Sequence, residues 1–460
     1  MIDKKYVEQA LAEALRTGGD FAELFAQDRR SSAVTLRNDR VENAIAARRH
    51  GAGIRVYKGL NSIYVHTNDT SLAGLVDAAR KAADAVGAVQ GGVDVHLTET
   101  RAANVHPFGQ PVPEVPGARR ADLLRRASAA ARGVSPEVRQ VYAGLTGSEG
   151  EVLIANSEGL YVLDRRMYTR FSISAVASSE SENQTGSESP GALMGFELFD
   201  DRVDVEASAR EAAKRAVTML HAEPCPAGFM PVVIDGGFGG VIFHEACGHS
   251  LEAAAVAFGN SEFCGKLGQQ IASPVVTAID DGTLPNEWGS TNVDDEGMPT
   301  TKLTLIENGV LKNYMVDRLN GRRMCMAPTG SARRQDYTFA PTSRMRNTYI
   351  APGSDDEAAI IATCGDGLYA KHMGGGSVNP VTGEFNFAVS EGYLIRDGKV
   401  DRPVRGAMLI GKGAEVLMRI DRVGRKMWMA QGMCGAGSGS IPVNVGQPMI
   451  RVTGLTVGGR

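Results

Sequence analysis

The fold of the C-terminal half of the chain is decided by residues 229–252, which read FMPVVIDGGFGGVIFHEACGHSLE. The apolar run Phe229–Ile234 predicts a strand, the Gly-rich run Asp235–Gly240 predicts a tight turn, and the following residues predict one helix over about 240–257. A helix N-terminus of this kind can bind an anion, but the run lacks the Lys-Ser/Thr ending of a phosphate-binding loop. We interpret it as a strand-to-helix turn that brings backbone close to a substrate.

Beyond this segment the sequence predicts strands and almost no helix. Two hairpins are indicated by the turn pairs Asn308-Gly309 and Asp397-Gly398, each of which separates short apolar runs. Upstream, residues 222–228 contain two prolines and a glycine, which is typical of a boundary between domains.

The N-terminal half alternates helix and strand patterns. Helices are predicted from the capping residue Asp3 to about Arg16 and over residues 72–86, 120–131 and 205–220. The predicted strands are residues 21–27, 33–36, 54–57, 62–66, 138–145, 151–156, 160–163 and 168–177. The proline-rich residues 103–118 predict a long connector, and the polar residues 178–191 predict a mobile loop.

Together these patterns predict an α+β protein of two domains. Residues 1–222 are expected to form a mixed α/β-layer domain. Residues 223–460 are expected to form a strand-rich, mainly antiparallel domain that carries the single helix after Gly240.

Composition excludes several classes of protein. The 460 residues include 49 Lys and Arg against 53 Asp and Glu, so no basic excess favours direct nucleic-acid binding. No apolar run approaches the ~18 residues that a membrane span needs. The N-terminus lacks the apolar stretch of a secretory signal, so we expect a cytoplasmic protein whose six cysteines are thiols or ligands.

The chemistry of the chain is concentrated in His244-Glu-Ala-Cys-Gly-His249. Histidines at i and i+5 lie about 140° apart around a regular helix, too far to share an ion. A local π-type turn of about 4.4 residues would bring both onto one face, and Gly248 would ease it. If the two histidines share a metal, we therefore expect the helix to deviate from α geometry between them.

Two imidazoles with a thiolate or carboxylate suit Zn²⁺, which in catalytic sites keeps one position open for water. Glu245 could then act as the general base of amide hydrolysis. Cys434, in a glycine-flanked segment, is a candidate third ligand. Two other interpretations stay open: the histidines could be ordinary core residues, or His244 and Cys247, at i and i+3, could bind a metal without His249.

Further motifs in the C-terminal half resemble the TldD/PmbA family, in particular its metal-bearing TldD-like branch. They are residues 294–297 (DDEG), 344–349 (RMRNTY), 374–383 (GGGSVNPVTG), 392–398 (GYLIRDG), 442–448 (PVNVGQP) and 456–459 (TVGG). Only a general α+β pattern carries the resemblance in the N-terminal half.

The resemblance implies a zinc metallopeptidase with His244, His249 and Cys434 as metal ligands and Glu245 as catalytic acid/base. It implies activity on unfolded peptides or on leader segments of peptide precursors. It also implies a dimer, either of two copies or with a metal-free PmbA/TldE-like subunit. An older family label refers to DNA gyrase, but nothing in the composition indicates a DNA contact.

Three points remain open at the level of sequence. The family usually has Cys-Gly-Lys where this chain has Cys434-Gly-Ala, which removes a candidate cation for substrate. The motifs give no role to Asp294, Asp295, Arg344 or Asn347. The alternative function is a non-enzymatic peptide-binding or regulatory subunit with a structural metal, although such a subunit has no need of Glu245 beside paired histidines.

Overall fold

The computed structural model describes residues 2–87, 91, 93–379 and 381–459. Its helices and its many strands form an α+β fold, as the sequence predicts. Among the residues described, none of the helices combines the length and the hydrophobicity that a membrane span requires.

The first 222 residues contain five helices and one large sheet among the described part of the chain. The helices are α1 (Lys4–Leu15), α2 (Leu72–Val86), α3 (Gly117–Arg132), α4 (Leu198–Asp201) and α5 (Val205–Leu220). The strands are β1 (Phe21–Arg37), β2 (Arg40–Lys58), β3 (Asn61–Thr67), β4 (Thr98–Arg101), β5 (Val138–Asn156), β6 (Leu160–Ser178), β7 (Asn183–Glu188) and β8 (Gly191–Ala192). The sheet has the order β3-β2-β1-β5-β6-β4, and β7 and β8 also pair with β6.

The two faces of this sheet pack against different parts of the protein. Alternate residues such as Leu24 on β1 and Leu153 on β5 pack in one core with α1 and α2. Residues on the same face farther along these strands pack in a second core with α3 and α5. The opposite residues, such as Phe25, meet the C-terminal half through Val293. Helices therefore cover one face, and the C-terminal half covers part of the other.

The remaining described residues form two large sheets, a two-stranded sheet that pairs Ala332–Arg333 with Thr342–Ser343, and several short helices. The helices are α6 (Val241–Phe243), α7 (Ala253–Val256), α8 (Arg318–Met324), α9 (Glu357–Ala362) and α10 (Gly413–Arg419). The strands are β9 (Glu223–Pro224), β10 (Gly228–Ile234), β11 (Ala278–Asp281), β12 (Lys302–Glu307), β13 (Val310–Leu311), β14 (Ala332–Arg333), β15 (Thr342–Ser343), β16 (Asn347–Ile350), β17 (Gly367–Val378), β18 (Glu384–Arg396), β19 (Lys399–Arg405), β20 (Met408–Lys412), β21 (Ile420–Val423), β22 (Trp428–Ala436), β23 (Gly439–Gln447) and β24 (Ile450–Gly458).

The second sheet has the order β17-β10-β24-β20-β18-β19-β9, with β21 paired to β24, and the third has the order β13-β12-β11-β16-β23-β22. Most neighbours are antiparallel, but β10–β17, β16–β23 and β9–β19 are parallel. Both predicted hairpins are confirmed as β12–β13 and β18–β19. Their turns use positive φ at Asn308 and Asp397, as a two-residue turn requires.

Several sequence predictions about elements are wrong, including the division of β5 and of β6 into two strands each. Residues 28–32 do not separate two strands, because β2 and β5 pair with β1 along its whole length and satisfy its backbone whatever the side chains. Residues 178–191 are not a loop throughout: β7 pairs with β6, and Gly186 lets it approach α5 closely. The helix predicted over 240–257 is broken at Glu252, where the backbone is extended (ψ 131°) and bridges Met315.

Buried ion pairs join the two halves of the chain. Arg55 of β2 contacts Glu23 and Glu296. Arg334 pairs with the same Glu23 at 3.0 Å, and Arg166 of β6 pairs with Asp295 at 2.6 Å. Because these charges lose their water, removing one partner would leave the other uncompensated, so the contacts fix the relative position of the two halves.

Candidate metal centre

A π-type turn holds the two motif histidines together. After β10, the chain makes a 3₁₀ turn and the short helix α6, and residues His244–Gly248 then form a π-helical segment. The rings of His244 and His249 lie 5.1 Å apart, centroid to centroid, at 82°. The predicted departure from α geometry is therefore confirmed, and it occurs where i and i+5 residues must share a face.

Close packing explains why glycine stands at position 248. A Cβ on Gly248 would lie 2.2 Å from Sδ of Met345, a side chain that is fully buried. Gly240 is equally constrained, because its Cβ would lie 2.6 Å from the backbone nitrogen of Gly446 on β23. The Gly-rich turn thus allows the motif segment to lie directly against the third sheet.

Strand β22 brings the third donor to the histidines. Cys434 pairs in register with Ile441 of β23, and its Sγ lies 3.3 Å from Nε2 of His249. One ligand atom from each of His244, His249 and Cys434 lies within 4.8 Å of the others. His244 and Cys434 are buried, and His249 is partly buried.

Two nitrogens and one sulfur at this separation are a donor set that zinc accepts. Nδ1 of His244 is buried and has no hydrogen-bond partner among the described residues. A buried imidazole nitrogen without a partner costs free energy, which a bound cation would recover. The residues present therefore fit a metal ion.

Glu252 and Arg344 hold the donors in place. A carboxylate oxygen of Glu252 lies 3.1 Å from Nδ1 of His249, and the other accepts the Met345 amide at 3.2 Å. Arg344 donates to the carbonyl of Cys434 at 2.6 Å and to Ser438 and Gly439 at 3.0 Å. The contact from Glu252 leaves Nε2 of His249 facing the thiol, an arrangement that commonly orients metal-binding histidines.

The sequence alone indicates no role for Glu252 or Arg344. The spacing of Glu252 three residues after His249 is a signal that could have found it, because i and i+3 side chains are neighbours on a helical turn. Nothing local marks Arg344, whose contacts all depend on the fold.

The protonation of the histidines follows from their surroundings. Burial lowers the pKa of His244 well below its usual range, and the nearby His249 and Arg344 lower it further, so this imidazole is neutral. Burial also lowers the pKa of His249, but the Glu252 carboxylate and the Cys434 thiol outweigh it and raise the pKa well above its usual range. A metal ion would therefore compete with a proton at His249.

Glu245 lies at the edge of the donor group. Its carboxylate is 3.6 Å from Nε2 of His249, and its side chain is 31% exposed, so solvent reaches it. Burial raises the pKa of Glu245, while His249 opposes the increase and Glu252 adds to it. A carboxylate in this position can accept a proton from a molecule beside the donors.

The structure does not favour the rival pair of His244 and Cys247. Cys247 is 1% exposed and packs in the main hydrophobic core of the C-terminal half. It does not belong to the donor group found among the described residues, and burial raises the pKa of its thiol well above the usual range. It is a core residue.

Contacts also show what the other unassigned motif residues do. Asp294 accepts hydrogen bonds from the backbone amides of Glu296, Met298 and Ala332. Asn347 contacts Gly289, Asp281 and Ser290. Both side chains shape loops, whereas Asp295 contacts Arg166 and the Arg334 amide beside a cavity.

That cavity has a volume of about 760 Å³ and lies between the N-terminal sheet and the β22–β23 hairpin, although none of the three donors lines it. Alternate residues of β1, β5 and β6 form one wall, and Met433 and Ile441 form part of the other. Met433 precedes Cys434 and Ile441 pairs with it, so the strand that presents the thiol also borders the cavity.

The domain models of one known family match most of the chain. Residues 22–86, 110–220 and 227–459 match domain 1, the central domain and the C-terminal domain of the PmbA/TldA metallopeptidases, respectively. A relative described as a metalloprotease TldD homolog from Haemophilus influenzae is 36% identical over 452 residues, 96% of this chain and 93% of that protein. A zinc metalloprotease TldD homolog from Saccharolobus solfataricus is 29% identical over 66% of this chain and 68% of its own.

Solved structures share the fold at low identity. A Thermotoga maritima protein described as a modulator of a DNA gyrase superposes with a TM-score of 0.80 at 20% identity, covering 99% of this chain and 100% of that one. TldE from Thermococcus kodakarensis gives a TM-score of 0.76 at 20% identity, covering 98% and 99%. These two similarities establish the architecture alone.

Proposed function

Because the chain belongs to the TldD/PmbA metallopeptidase family, we propose that it is a zinc-dependent peptidase that cleaves unfolded or flexible peptides. The observation that supports this proposal most strongly is that ligand atoms of His244, His249 and Cys434 lie within 4.8 Å of one another. The Glu245 carboxylate lies 3.6 Å from Nε2 of His249. Degradation of peptides and removal of leader segments are the two forms of this activity that we consider.

In this proposal the three donors hold the metal, and Glu252 and Arg344 keep them in position. Bound zinc would supply Lewis acidity, which polarises the peptide carbonyl and makes a water molecule more acidic. Glu245 takes the proton of the attacking water and passes it to the leaving amine. The buried donors admit only chain segments that can leave their own fold.

We also propose that the protein works in the cytoplasm as a dimer, either with a second copy or with a metal-free PmbA/TldE-like subunit. All six cysteines are free thiols, which suits a reducing compartment. Residues 40–49 of β2 are exposed, and among the described strands only β1 pairs with them, which leaves a sheet edge for another subunit. We propose that the protein does not contact DNA directly.

The test separates metal binding from chemistry. Elemental analysis of the purified protein should find about one zinc per chain. Glu245→Gln should keep this zinc and lose peptide cleavage by roughly 10²–10⁴-fold, because an amide cannot accept the proton. His249→Ala and Cys434→Ala should lose both properties. Retained turnover in the Gln variant would require another base, and loss of zinc in it would make Glu245 a ligand.

A further inference from the structure

The cavity between the N-terminal sheet and the β22–β23 hairpin is lined by an excess of arginine, and we call it the arginine cavity. Its guanidinium groups come from Arg29, Arg166, Arg170, Arg333 and Arg334, and its lining carboxylates are Asp295 and Glu151. Arg29, Arg166 and Arg170 are on the N-terminal sheet, whereas Arg333 belongs to β14 and Arg334 follows it. The cavity therefore lies where the two halves of the chain meet.

Two of the five arginines are neutralised by carboxylates. Arg166 pairs with Asp164 and Asp295 at 3.0 and 2.6 Å. Arg334 pairs with Glu23 at 3.0 Å. Their charge is used to join the two halves, as described above, so they leave little positive potential in the cavity.

Among the described residues, no salt bridge within 4.0 Å joins Arg29, Arg170 or Arg333 to a carboxylate, and Asp336 and Asp295 pair with Arg49 and Arg166 instead. Arg170 donates to the carbonyl and hydroxyl of Ser189 and to the Gln431 carbonyl, and its guanidinium lies 5.4 Å from the Trp288 ring centroid. Arg333 donates to the Met345 carbonyl at 2.7 Å. The side chain of Arg29 makes no hydrogen bond within the described part of the chain, and the Asp336 charge raises its pKa against the effect of burial.

The surroundings of Arg29, Arg170 and Arg333 disfavour the charged form of each guanidinium group. A bound anion would oppose this effect. Burial lowers the pKa of Arg29 and of Arg170, and burial together with Arg346 lowers that of Arg333 to about 10. Arg333 is only 4% exposed. Partly desolvated guanidinium groups without a directly paired carboxylate bind carboxylates more strongly than arginines on an open surface do.

We propose that the arginine cavity binds a carboxylate of the peptide substrate through Arg29, Arg170 and Arg333. This inference rests on the proposed peptidase function and adds a charge preference to it. The volume of the arginine cavity, about 760 Å³, is in the usual range for a ligand site. Trp288 and Tyr168 provide apolar walls for the peptide around the charge.

Strand β22 also sets a spacing between an arginine of the cavity and the donor group. Arg170 contacts the carbonyl of Gln431, three residues before Cys434 on β22. Since a strand advances about 3.3 Å per residue, this contact is about 10 Å along the strand from the donor group. An extended substrate would therefore place its acidic residue about three positions from the cleaved bond.

The test uses the full chain and fluorescent ten-residue peptides of Gly, Ala and Ser with one Glu or one Gln. Anisotropy should show that the Glu peptide binds roughly tenfold more tightly than the Gln peptide, as expected for charge-assisted contacts. Each peptide is also made with a free and with an amidated C-terminus, which separates a side-chain carboxylate from the terminal one. A preference that follows either carboxylate supports the proposal and identifies its source.

Arg29→Gln should abolish most of this preference. The fold should tolerate the change because Arg29 is partly exposed and its side chain makes no hydrogen bond within the described residues. Arg30→Gln is the matched control: it removes the same charge from the neighbouring residue, which points to the other face of β1, while Glu149 keeps Arg165 as a partner. A second variant, Arg170→Gln, should act like Arg29→Gln.

Two results would overturn the proposal: equal binding of the Glu and Gln peptides with either terminus, or equal loss of preference in Arg30→Gln and Arg29→Gln. Because binding is measured without turnover, these results are independent of the peptidase assay. If the protein binds acidic peptides but cleaves none, the proposed function fails and the arginine cavity stands.

Discussion

His249 is the residue on which most of the site depends. It faces Cys434 through Nε2 and Glu252 through Nδ1, and the Glu245 carboxylate lies 3.6 Å from it. The sequence indicates His249 as a candidate ligand but does not indicate its orientation, because the thiol is 185 residues away along the chain.

Glu252 provides a test of this orientation. Glu252→Gln keeps the shape of the side chain but removes the charge that holds Nδ1 of His249, so zinc affinity should fall by roughly 10–100-fold. Competition with a metal chelator measures this directly. Glu245→Gln is the comparison, since it removes a carboxylate near the same imidazole and should leave the affinity almost unchanged. Equal losses in both variants would mean that general charge, not orientation, sets the affinity.

At the scale of elements, the motif segment shows what local pattern can and cannot predict. The i, i+5 spacing of its histidines predicts the π-type turn, which the structure confirms. The break at Glu252 could not be predicted, because it depends on the backbone bridge to Met315 from a distant part of the chain. The sequence predicts two short strands in place of each of the long strands β1, β5 and β6, for a similar reason. Their polar central residues are stabilised by hydrogen bonds to neighbouring strands, such as those of β1 to the distant β5.

The packing of the π-type turn can be tested at Gly248. Gly248→Ala would place a Cβ 2.2 Å from Sδ of the buried Met345, so the turn or the methionine must shift. We expect a loss of about 1–3 kcal/mol in the free energy of unfolding, together with weaker zinc binding. Denaturant unfolding and chelator competition measure the two effects. Gly435→Ala, next to Cys434 but with nothing within 4 Å of its Cβ, should change neither.

At the scale of the whole molecule, buried charge should make stability depend on pH. Asp280 is 2% exposed, and burial raises its pKa to about 6, although the Arg346 amide and the Thr348 hydroxyl donate to it. The folded state therefore holds this proton more tightly than the unfolded state, whose pKa is near 4. This contribution is fully present below pH ~4 and is lost as the pH rises through ~6.

Asp280→Asn should remove that part of the pH dependence. Relative to the variant, the wild-type protein should lose up to about 3 kcal/mol of unfolding free energy between pH ~4 and ~7. Urea unfolding at several pH values measures the difference, and Asp77→Asn on the exposed face of α2 serves as the control. A difference that stays constant with pH would show that Asp280 is ionised throughout.

Burial of the donors also predicts which substrates are cleaved. His244 and Cys434 are 2% and 6% exposed, so a peptide bond must come to them on a flexible segment. A folded domain must first unfold, at a cost of ~5–15 kcal/mol. We expect digestion of a permanently unfolded variant of a test protein and little digestion of its native form. Equal rates for the two would refute selection by access and leave the metal chemistry intact.

The separation of the donors along the chain has a consequence for how the protein is made. His244 and His249 leave the ribosome long before Cys434, which is 185 residues after His249. Until β22 has paired with β23, a nascent chain offers an ion two imidazoles and no thiolate, which is a weak site. Zinc loading is therefore expected after translation, as a step coupled to completion of the third sheet, and an unfinished chain would remain an inactive peptidase.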